Sequence, residues 1–451
     1  MKQTIEHESS GKSARTRIAL SAEQRRAGVL GDLPQPAGEF NGSSVTILTG
    51  GGDKPYALGL ASALIERGVR FDFIGSDDVD GPKLHSNPQV VFLNLRGNQR
   101  RNASIWEKMA RLLNYYRRLL RYARTANPRI FHILWNNKFV IFDRTILMLY
   151  YRVLGKKIVF TAHNVNAGRR DGNDTIINRL TLMAQYCLTD HIFVHTAKMK
   201  EELVREFGVH PDKVTVIPFG INSTVPDTAL TPAQARERLG LAPSEKVILF
   251  FGSISPYKGL EYLVQAFASV AKECASYRLI IAGKPKRQDG YWNRVKEAIV
   301  CSGVQDRIIQ RIGYVPDEET EVYFKAADVL ALPYTHVFQS GVLFLAYNFG
   351  LPAIAADVGS LREEIIQGET GLSFKTADEV DLANVIRLYF SSGLYTNPES
   401  RRETIRKFAS DRYSWSKIAA VIADVYSRLY RAPAGKIVGR LQRKCNRCEF
   451  N

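Results

Sequence analysis

Short apolar runs alternate with segments of helical period along most of this chain. Val45-Thr46-Ile47-Leu48 is the first such run. Gly50-Gly51-Gly52 follows it, and Tyr56 to Arg67 then carries apolar residues at helical spacing. Further runs at Phe71–Ile74, Val90–Leu95, Ile130–Leu134, Lys157–Ala162, His191–His195 and Val214–Ile217 predict strands. The intervening periodicity predicts helices over about 104–126, 139–154, 174–188 and 198–207. Pro218-Phe219-Gly220-Ile221-Asn222, with Pro226 and Pro232 beyond, breaks this rhythm and reads as a link. The alternation restarts with strands at Lys246–Phe251, Arg278–Ala282, Ile308–Ile312, Val329–Leu332 and Ala353–Ala355. Helices are expected at Gly259–Cys274, Tyr291–Ser302, Asp317–Ala326, Gly341–Phe349, Leu361–Ile366, Glu379–Tyr389 and Ser416–Leu429. Strands alternating with helices imply parallel βαβ units. The expected fold is therefore α/β, with two Rossmann-like domains facing across a cleft. The boundaries fall at 1–40 for a disordered tail, 41–222 and 223–410 for the two domains, 411–430 for a closing helix and 431–451 for a basic tail.

Composition places the chain among ordinary soluble proteins: 45% of residues are hydrophobic and 24% charged. No stretch approaches the roughly 18–20 apolar residues that span a bilayer, and the run Phe139–Phe142 stops at Asp143 and Arg144. The first residues lack the apolar core of a secretory signal, so a cytoplasmic location is expected. Cys187, Cys274 and Cys301 look like small core residues. Cys445 and Cys448 have metal-ligand spacing but no second pair, so no metal site is assigned.

Charge changes the picture more. The formal net charge is +17, and it is uneven. Arg96 to Arg129 holds ten basic residues against Glu107, or +9, and Arg428 to the end holds seven against Glu449, or +6. On the helix over 104–126, Leu112, Leu113, Tyr116, Leu119, Leu120 and Ala123 share helical spacing, while Arg111, Arg117, Arg118, Arg121 and Arg124 occupy much of the remainder. Such a helix lies on an anionic membrane surface, or is the solvated face of a domain helix; both readings stay open. No nucleic-acid-binding module accompanies the charge, so no nucleic acid is expected as a partner.

Two turns could carry chemistry. Pro333-Tyr334 … Gln339-Ser340-Gly341-Val342-Leu343 joins a buried strand to a helix for which Ser340 is a suitable N-cap. The first amides of such a helix lack intrahelical acceptors, and Gly341 lets an anion approach them. In Phe251-Gly252-Ser253-Ile254-Ser255-Pro256-Tyr257-Lys258-Gly259 a strand again ends in glycine, and Lys258 could neutralise a leaving diphosphate. A capped helix and an exposed loop lysine are the bland alternatives.

Set beside these turns, several short stretches occur in an order and spacing that resemble the large family-4 retaining glycosyltransferases of the GT-B fold (glycosyl transferases group 1). They are Gly50-Gly51-Gly52, Thr161-Ala162-His163-Asn164-Val165, Val216 to Asn222, Gly252 to Gly259, Ile312-Gly313-Tyr314-Val315-Pro316, Ala327 to Tyr334, Gly350 to Gly359 and Gly368 to Leu372. Tyr413-Ser414-Trp415 is similar to the opening of that family's closing helix, which crosses back to the first domain. The resemblance covers about residues 44–430.

It implies transfer from a nucleoside-diphosphate sugar, a co-substrate rather than a cofactor, with retention and without an obligatory metal. Residues 41–222 would then be the acceptor domain and 223–410 the nucleotide-sugar domain. By position, Lys258 contacts the donor phosphates, and the amides around Ser340, Gly341 and Val342 cradle them. Gly313, Tyr314 and Val315 lie by the base, Gly51 and Gly52 face the phosphates across the cleft, and His163 stands beside the reacting sugar. The chain departs from the family where Ser253 and Ser255 replace arginines and where Val337 and Leu345 replace a pair of glutamates. Gln339 is the nearest polar substitute and could hydrogen-bond a sugar without carrying charge. Glu363 is a further candidate for a ribose or sugar contact. A subset of the family carries the same Gln-Ser-Gly turn.

Two functions follow. One is a membrane-associated sugar transferase acting on a glycan or lipid-linked saccharide in surface or exopolysaccharide assembly, on the inner face of the plasma membrane. The other, prompted by the absent glutamates, is a catalytically silent relative that binds nucleotide sugar or glycan as a partner subunit.

Overall fold

The computed structural model describes residues 45–52, 54–99, 104–170, 173–221, 225–286, 290–337 and 339–432. The expectations for the tails at 1–40 and 433–451, including Cys445 and Cys448, lie outside the described residues.

The first half forms a sheet of seven strands: β1 (Val45–Leu48), β2 (Phe71–Gly75), β3 (Val90–Asn94), β4 (Ile130–Ile133), β5 (Lys157–Thr161), β6 (His191–Val194) and β7 (Val214–Val216). All pair in parallel, in the order β3-β2-β1-β4-β5-β6-β7. The second half repeats the plan with β8 (Lys246–Phe251), β9 (Tyr277–Gly283), β10 (Ile308–Ile312), β11 (Val329–Leu332), β12 (Ala353–Ala356) and β13 (Gly371–Phe374), in the order β10-β9-β8-β11-β12-β13. In both sheets the direction of winding reverses beside the first strand, between β1 and β4 and between β8 and β11. Open sheets of this kind bind ligands at the carboxyl ends of the strands flanking that reversal. The two turns singled out above follow β8 and β11, and the glycine turn follows β1.

The strands are apolar on both faces because helices cover both. Val45 and Ile47 of β1 face one core and Leu48 the other. Val247 and Leu249 of β8 likewise face away from Ile248 and Phe250. Such double burial explains the near-continuous apolar runs in the sequence.

The helices that matter to the site are α1 (Lys54–Glu66), α2 (Ile105–Thr125), α3 (Ile176–Leu188), α4 (Ala197–Phe207), α5 (Leu260–Glu273), α6 (Asp317–Ala326), α7 (Gly341–Asn348) and α8 (Trp415–Arg431). α2 starts where its capping box dictates: the Ser104 hydroxyl accepts from the Glu107 amide and the Glu107 carboxylate from the Ser104 amide. The stretch expected as one helix at 139–154 is interrupted, with a wider turn at Asp143–Leu147 between Val140–Phe142 and Met148–Val153. Besides single-turn helices at Pro82–His85, Ala167–Arg170 and Gly393–Thr396, the longer helices Pro232–Arg238 and Pro398–Arg412 and the strand β13 were not expected from the pattern. Pro398–Arg412 is strongly polar and presents few buried residues, so its apolar period is weak.

α8 belongs in space to the first domain. Ile418, Ile422 and Tyr426 join the core that covers α1 and β1. The Tyr426 hydroxyl meets Nδ1 of buried His132 on β4 at 2.5 Å, and Nε2 of that ring meets Thr161 Oγ1 at 2.7 Å. Trp415 opens the helix against Gly59 and Gly220, and its indole N–H donates to the Ile221 carbonyl at 2.8 Å. The two chain crossings between domains, at 217–221 and 413–415, are thus tied to one another.

One expectation about the core fails. Cys187 and Cys301 are exposed and Cys274 is partly exposed. Cys187 sits near the end of α3 on its solvent side, where helical context alone did not predict burial.

Candidate functional site

A cavity of about 280 Å³ opens between the halves. Tyr56 of α1 lines it from the first domain, Phe219 and Gly220 from the crossing, and Phe251, Val315, Gly341 and Val342 from the second domain. The amino ends of α1 and α7 therefore face the same space, each bringing the positive end of a helix dipole.

α7 is built to leave that end open. Ser340 occupies the N-cap position, but its hydroxyl makes no capping bond, contrary to its expected role. Its backbone is extended (φ −119°, ψ 100°) and its carbonyl accepts from the Leu343 amide at 3.1 Å. The Gly341 and Val342 amides have no acceptor among the described residues. Both amide atoms of the neighbouring Gln339 are shielded from water and unpartnered. Buried polar groups are normally satisfied, so a side chain with two orphan atoms at an open helix end points to a ligand.

Lys258 comes from a tight turn, Pro256–Lys258, ahead of α5. It is only 6% exposed, and its ammonium lies over the Tyr334 ring at 5.2 Å. A Cβ on Gly252 would stand 3.1 Å from Lys258 Nζ and 3.2 Å from Val342. The lysine head, the β8 glycine and the first turn of α7 therefore converge. No carboxylate among the described residues pairs with Lys258, and burial pushes its pKa below the ordinary lysine value. An anion placed here would supply the missing counter-charge. Ser255 on the same turn is buried with an unpartnered hydroxyl, whereas Ser253 is half-buried.

His163 lies one ring behind the cavity lining, packed on Tyr56 at 4.7 Å and near Phe219 at 6.1 Å. It stacks on Trp135 at 4.1 Å with the planes 3° apart. Its Nδ1 meets Nε2 of His195 at 3.0 Å, and Nδ1 of His195 lies 3.3 Å from the Ile217 carbonyl. Burial holds His163 well below the usual histidine range, and brings His195 down to about 4 against the pull of the Ile217 and Pro218 backbone. Both rings are neutral near pH 7, and this fixes the protons. A carbonyl only accepts, so His195 carries its hydrogen on Nδ1 and leaves Nε2 bare. His163 must then donate through Nδ1, which leaves its own Nε2 as a lone-pair acceptor. That nitrogen is shielded and unpartnered.

Across from α7, Gly51 and Gly52 form an exposed turn before α1. Gly51 has φ +73°. Side chains are excluded here by neighbours as well: a Cβ at Gly52 would meet the Trp135 ring at 2.0 Å, and one at Gly51 the Arg96 guanidinium at 2.5 Å. The Trp135 ring is therefore held between His163 and the glycine turn. Sequence reasoning singled out neither Trp135 nor Arg96, since packing rather than spacing brings them here.

The other expected residues are more dispersed. Val315 lines the cavity, Gly313 donates its amide to the Gly283 carbonyl at 3.0 Å, and Tyr314 is exposed. Glu363 is exposed and does not line the cavity; burial by neighbours raises its pKa, with Arg412 and Lys198 of α4 opposing. Its neighbour Glu364 is the buried carboxylate, held by the Tyr413 hydroxyl. Val337 and Leu345 are buried and apolar, and Leu345 is part of the cavity wall. Among the described residues no cluster of three His, Cys, Asp or Glu side chains forms a metal-ligand set.

Comparison with known proteins agrees with this geometry. The family model for Glycosyltransferase Family 4 matches residues 50–225, and that for Glycosyl transferases group 1 matches residues 245–391. The chain is built of two glycosyltransferase domains in the GT-B arrangement. A D-inositol 3-phosphate glycosyltransferase from Xylanimonas cellulosilytica is 29% identical over 250 residues, 53% of this chain and 57% of that one. Its counterpart in Streptomyces bingchenggensis is 31% identical over 248 residues, 54% of this chain and 53% of that one. The chain thus spans little more than half the length of these relatives. Among solved structures, sucrose-phosphate synthase from Thermosynechococcus elongatus superposes with a TM-score of 0.66 at 20% identity, covering 87% of this chain and 100% of that one. Anabaena HepE in complex with UDP-glucose gives 0.65 at 16% identity, covering 85% and 99%. In this GT-B frame, the Lys258–α7 cluster and the His163 pair lie on opposite domains.

Proposed function

We propose that the protein transfers a sugar from a nucleoside-diphosphate sugar to a glycan or lipid-linked saccharide, in the assembly of a surface or exopolysaccharide. The carrying observation is the buried, unpaired Lys258 ammonium beside the open amides of α7. As the bond from sugar to diphosphate breaks, negative charge grows on the leaving oxygen. A fixed cation and fixed amides in a site shielded from water stabilise that charge without reorganising. Gln339 and the bare Nε2 of His163 supply acceptors or donors for sugar hydroxyls on either side. Residues 41–222 serve the acceptor and 223–410 the donor. Retention at the anomeric carbon and independence from metal rest on the family resemblance.

The same reading places the enzyme on the inner face of the plasma membrane. Arg111, Arg117, Arg118, Arg121 and Arg124 lie along α2, and the segment 104–157 holds twelve basic residues against Glu107 and Asp143. Apolar exposure supports docking more strongly than charge does. Of the 20 large apolar residues exposed among those described, 14 fall between Ile105 and Met183. They include Trp106 of α2 at 84%, Ile146 and Leu149 of the 140–153 stretch, and Ile176 and Leu180 of α3. These helices are neighbours, because Tyr150 donates to the Leu120 carbonyl and Arg144 to Asn178 and Thr181. An exposed apolar face of this extent, rimmed by cations, suits an anionic bilayer surface. No helix among the described residues is long and apolar enough to cross a membrane.

A thermal-shift screen of UDP-, GDP-, ADP- and dTDP-sugars tests the donor assignment. One base class should raise the melting temperature in wild type and fail to do so in Lys258→Ala. Equal stabilisation of both proteins would remove Lys258 from the donor site.

A further inference from the structure

His195 is not part of the cavity lining, yet it decides what its neighbour can bind. It follows β6, is 4% exposed and sits between two groups. The Ile217 carbonyl, which can only accept, lies 3.3 Å from its Nδ1, and Nδ1 of His163 lies 3.0 Å from its Nε2. The carbonyl is itself fixed, because the Ile217 amide donates to the Val194 carbonyl at 2.8 Å as the chain leaves β7.

A neutral imidazole in water carries its hydrogen mostly on Nε2. His163 carries it on Nδ1 instead, because the bare Nε2 of His195 requires a donor there. The ring is held in that pose. It lies flat on Trp135, with centroids 4.1 Å and planes 3° apart, and the Tyr56 ring meets it edge-on at 4.7 Å. A half-turn would keep the stacking but put a ring carbon against His195 and leave the latter's Nε2 without a donor. Phe219 and Tyr56 hold His195 in turn, at 5.0 and 5.7 Å. His163 therefore presents a lone pair at Nε2, on the side of its ring away from His195, and no partner among the described residues meets it. A shielded nitrogen left bare is costly, and only a group that donates a hydrogen can satisfy it.

We infer that His195 is a positioning residue: by accepting from Nδ1 of His163 it keeps Nε2 of that ring a pure acceptor. The pair thereby selects a nucleotide sugar that turns a hydroxyl, rather than a carboxylate or a carbonyl, towards that nitrogen. That a sugar is what Nε2 receives rests on the transferase reading; the hold of His195 on His163 does not.

Two measurements on the full chain test this. NMR of the protein labelled with heavy nitrogen in histidine tells a protonated ring nitrogen from a bare one. Wild type should show His163 bare at Nε2. His195→Phe keeps a ring but offers no acceptor, so His163 should then carry its hydrogen on Nε2. His195→Gln places an amide oxygen near the former Nε2 and should restore the wild-type form. His195→Asn keeps the Ile217 bond but is too short to reach His163; it should match His195→Phe, and stands in for it if that variant does not fold.

The second measurement compares kcat/KM for UDP-glucose, GDP-mannose, ADP-glucose and dTDP-glucose, then for each monodeoxyfluoro analogue of the one turned over fastest. Fluorine accepts a hydrogen bond but cannot donate one. Relative to its parent sugar, one analogue should lose about tenfold in wild type and about threefold less than that in His195→Phe, where an N–H now faces the fluorine. Slowing by fluorine's electron withdrawal is common to all the proteins and cancels in this comparison. A purely structural role for His195 would leave the loss unchanged, and His195→Gln should recover the wild-type pattern. The inference is overturned if wild-type His163 carries its hydrogen on Nε2, or if its form is the same in His195→Phe and His195→Asn as in wild type. It is also overturned if every fluorinated analogue loses equally in wild type and His195→Phe. Should none of the four nucleotide sugars be turned over, the transferase reading fails, and the nitrogen spectra alone decide the role of His195.

Discussion

His163 and His195 form one unit whose protons are fixed by a backbone carbonyl, and that unit makes the first domain sensitive to acid. Burial brings His132 down to about 3, His191 and His195 to about 4, and His163 well below its ordinary value. In the unfolded chain these rings take up protons as the pH falls below about 6.5. The folded chain resists until about 4, so stability is full above 6.5 and is lost on acidification between those values. Asp143 and Glu364, raised by burial, act in the opposite direction, so a difference measurement is needed. Replacing His195 by Asn removes one titrating ring. The stability advantage of wild type over His195→Asn should shrink between pH 7 and pH 5, by on the order of 1–2 kcal/mol in urea unfolding. An advantage independent of pH would mean that the ring is not held neutral. At this scale the sequence was readable where function follows position. Lys258 and His163 stand in strand-end loops. Arg96 was hidden because the packing of β3 and α2, not spacing, delivers it to Gly51. The neighbours Glu363 and Glu364 could not be told apart, because the choice is made by Tyr413 some fifty residues on.

Trp415 shows how an element is fixed by small neighbours. Its ring fills the space that side chains at Gly59 and Gly220 would need, with Cβ positions 2.3–2.4 Å from the indole. Both glycines approach the same part of the indole, at Cε2 and Cζ2, and the ring is tied by its N–H to the Ile221 carbonyl, so it cannot yield cheaply. Gly220→Ala should therefore unseat the start of α8 and cost about 1–3 kcal/mol. The readout is a melting temperature several degrees lower, together with weaker closure of the domains on nucleotide in small-angle scattering. An unchanged melting temperature would show that the crossing adapts. Element boundaries were legible where side chains punctuate them, as at Ser104 and Glu107 before α2. They were not legible at Asp143–Leu147, where the break comes from backbone adjustment within an unbroken apolar period. Ser340 had the right identity for a cap, and its hydroxyl nonetheless makes no capping bond.

For the molecule as a whole, alternating runs were enough to predict two parallel sheets, since only doubly buried strands need such apolar stretches. The exposed face of the first domain was invisible in the same pattern. Leu149 and Leu180 lie in segments of helical period, which does not say which face is covered, and 50% and 59% of their surfaces are exposed. Co-sedimentation with vesicles tests whether that face meets a bilayer. Binding should require anionic lipid, weaken with salt, and fall at least tenfold in the Leu149→Glu, Leu180→Glu double variant. Binding that ignores both lipid charge and the two glutamates would remove the membrane from the account. So would dimerisation of the wild type through this face in the absence of lipid.

The central claim is that the cleft uses Lys258 and the α7 amides to stabilise a departing nucleoside diphosphate. Release of nucleoside diphosphate from each nucleotide sugar, with and without a saccharide acceptor, measures this directly. Wild type should release it from at least one donor, slowly to water and faster with acceptor. Lys258→Ala should be slower by roughly 100- to 1,000-fold in kcat/KM, the loss expected for one preorganised electrostatic contact. Nucleotide sugars that bind without any release, or a Lys258→Ala variant that turns over as wild type does, would contradict it.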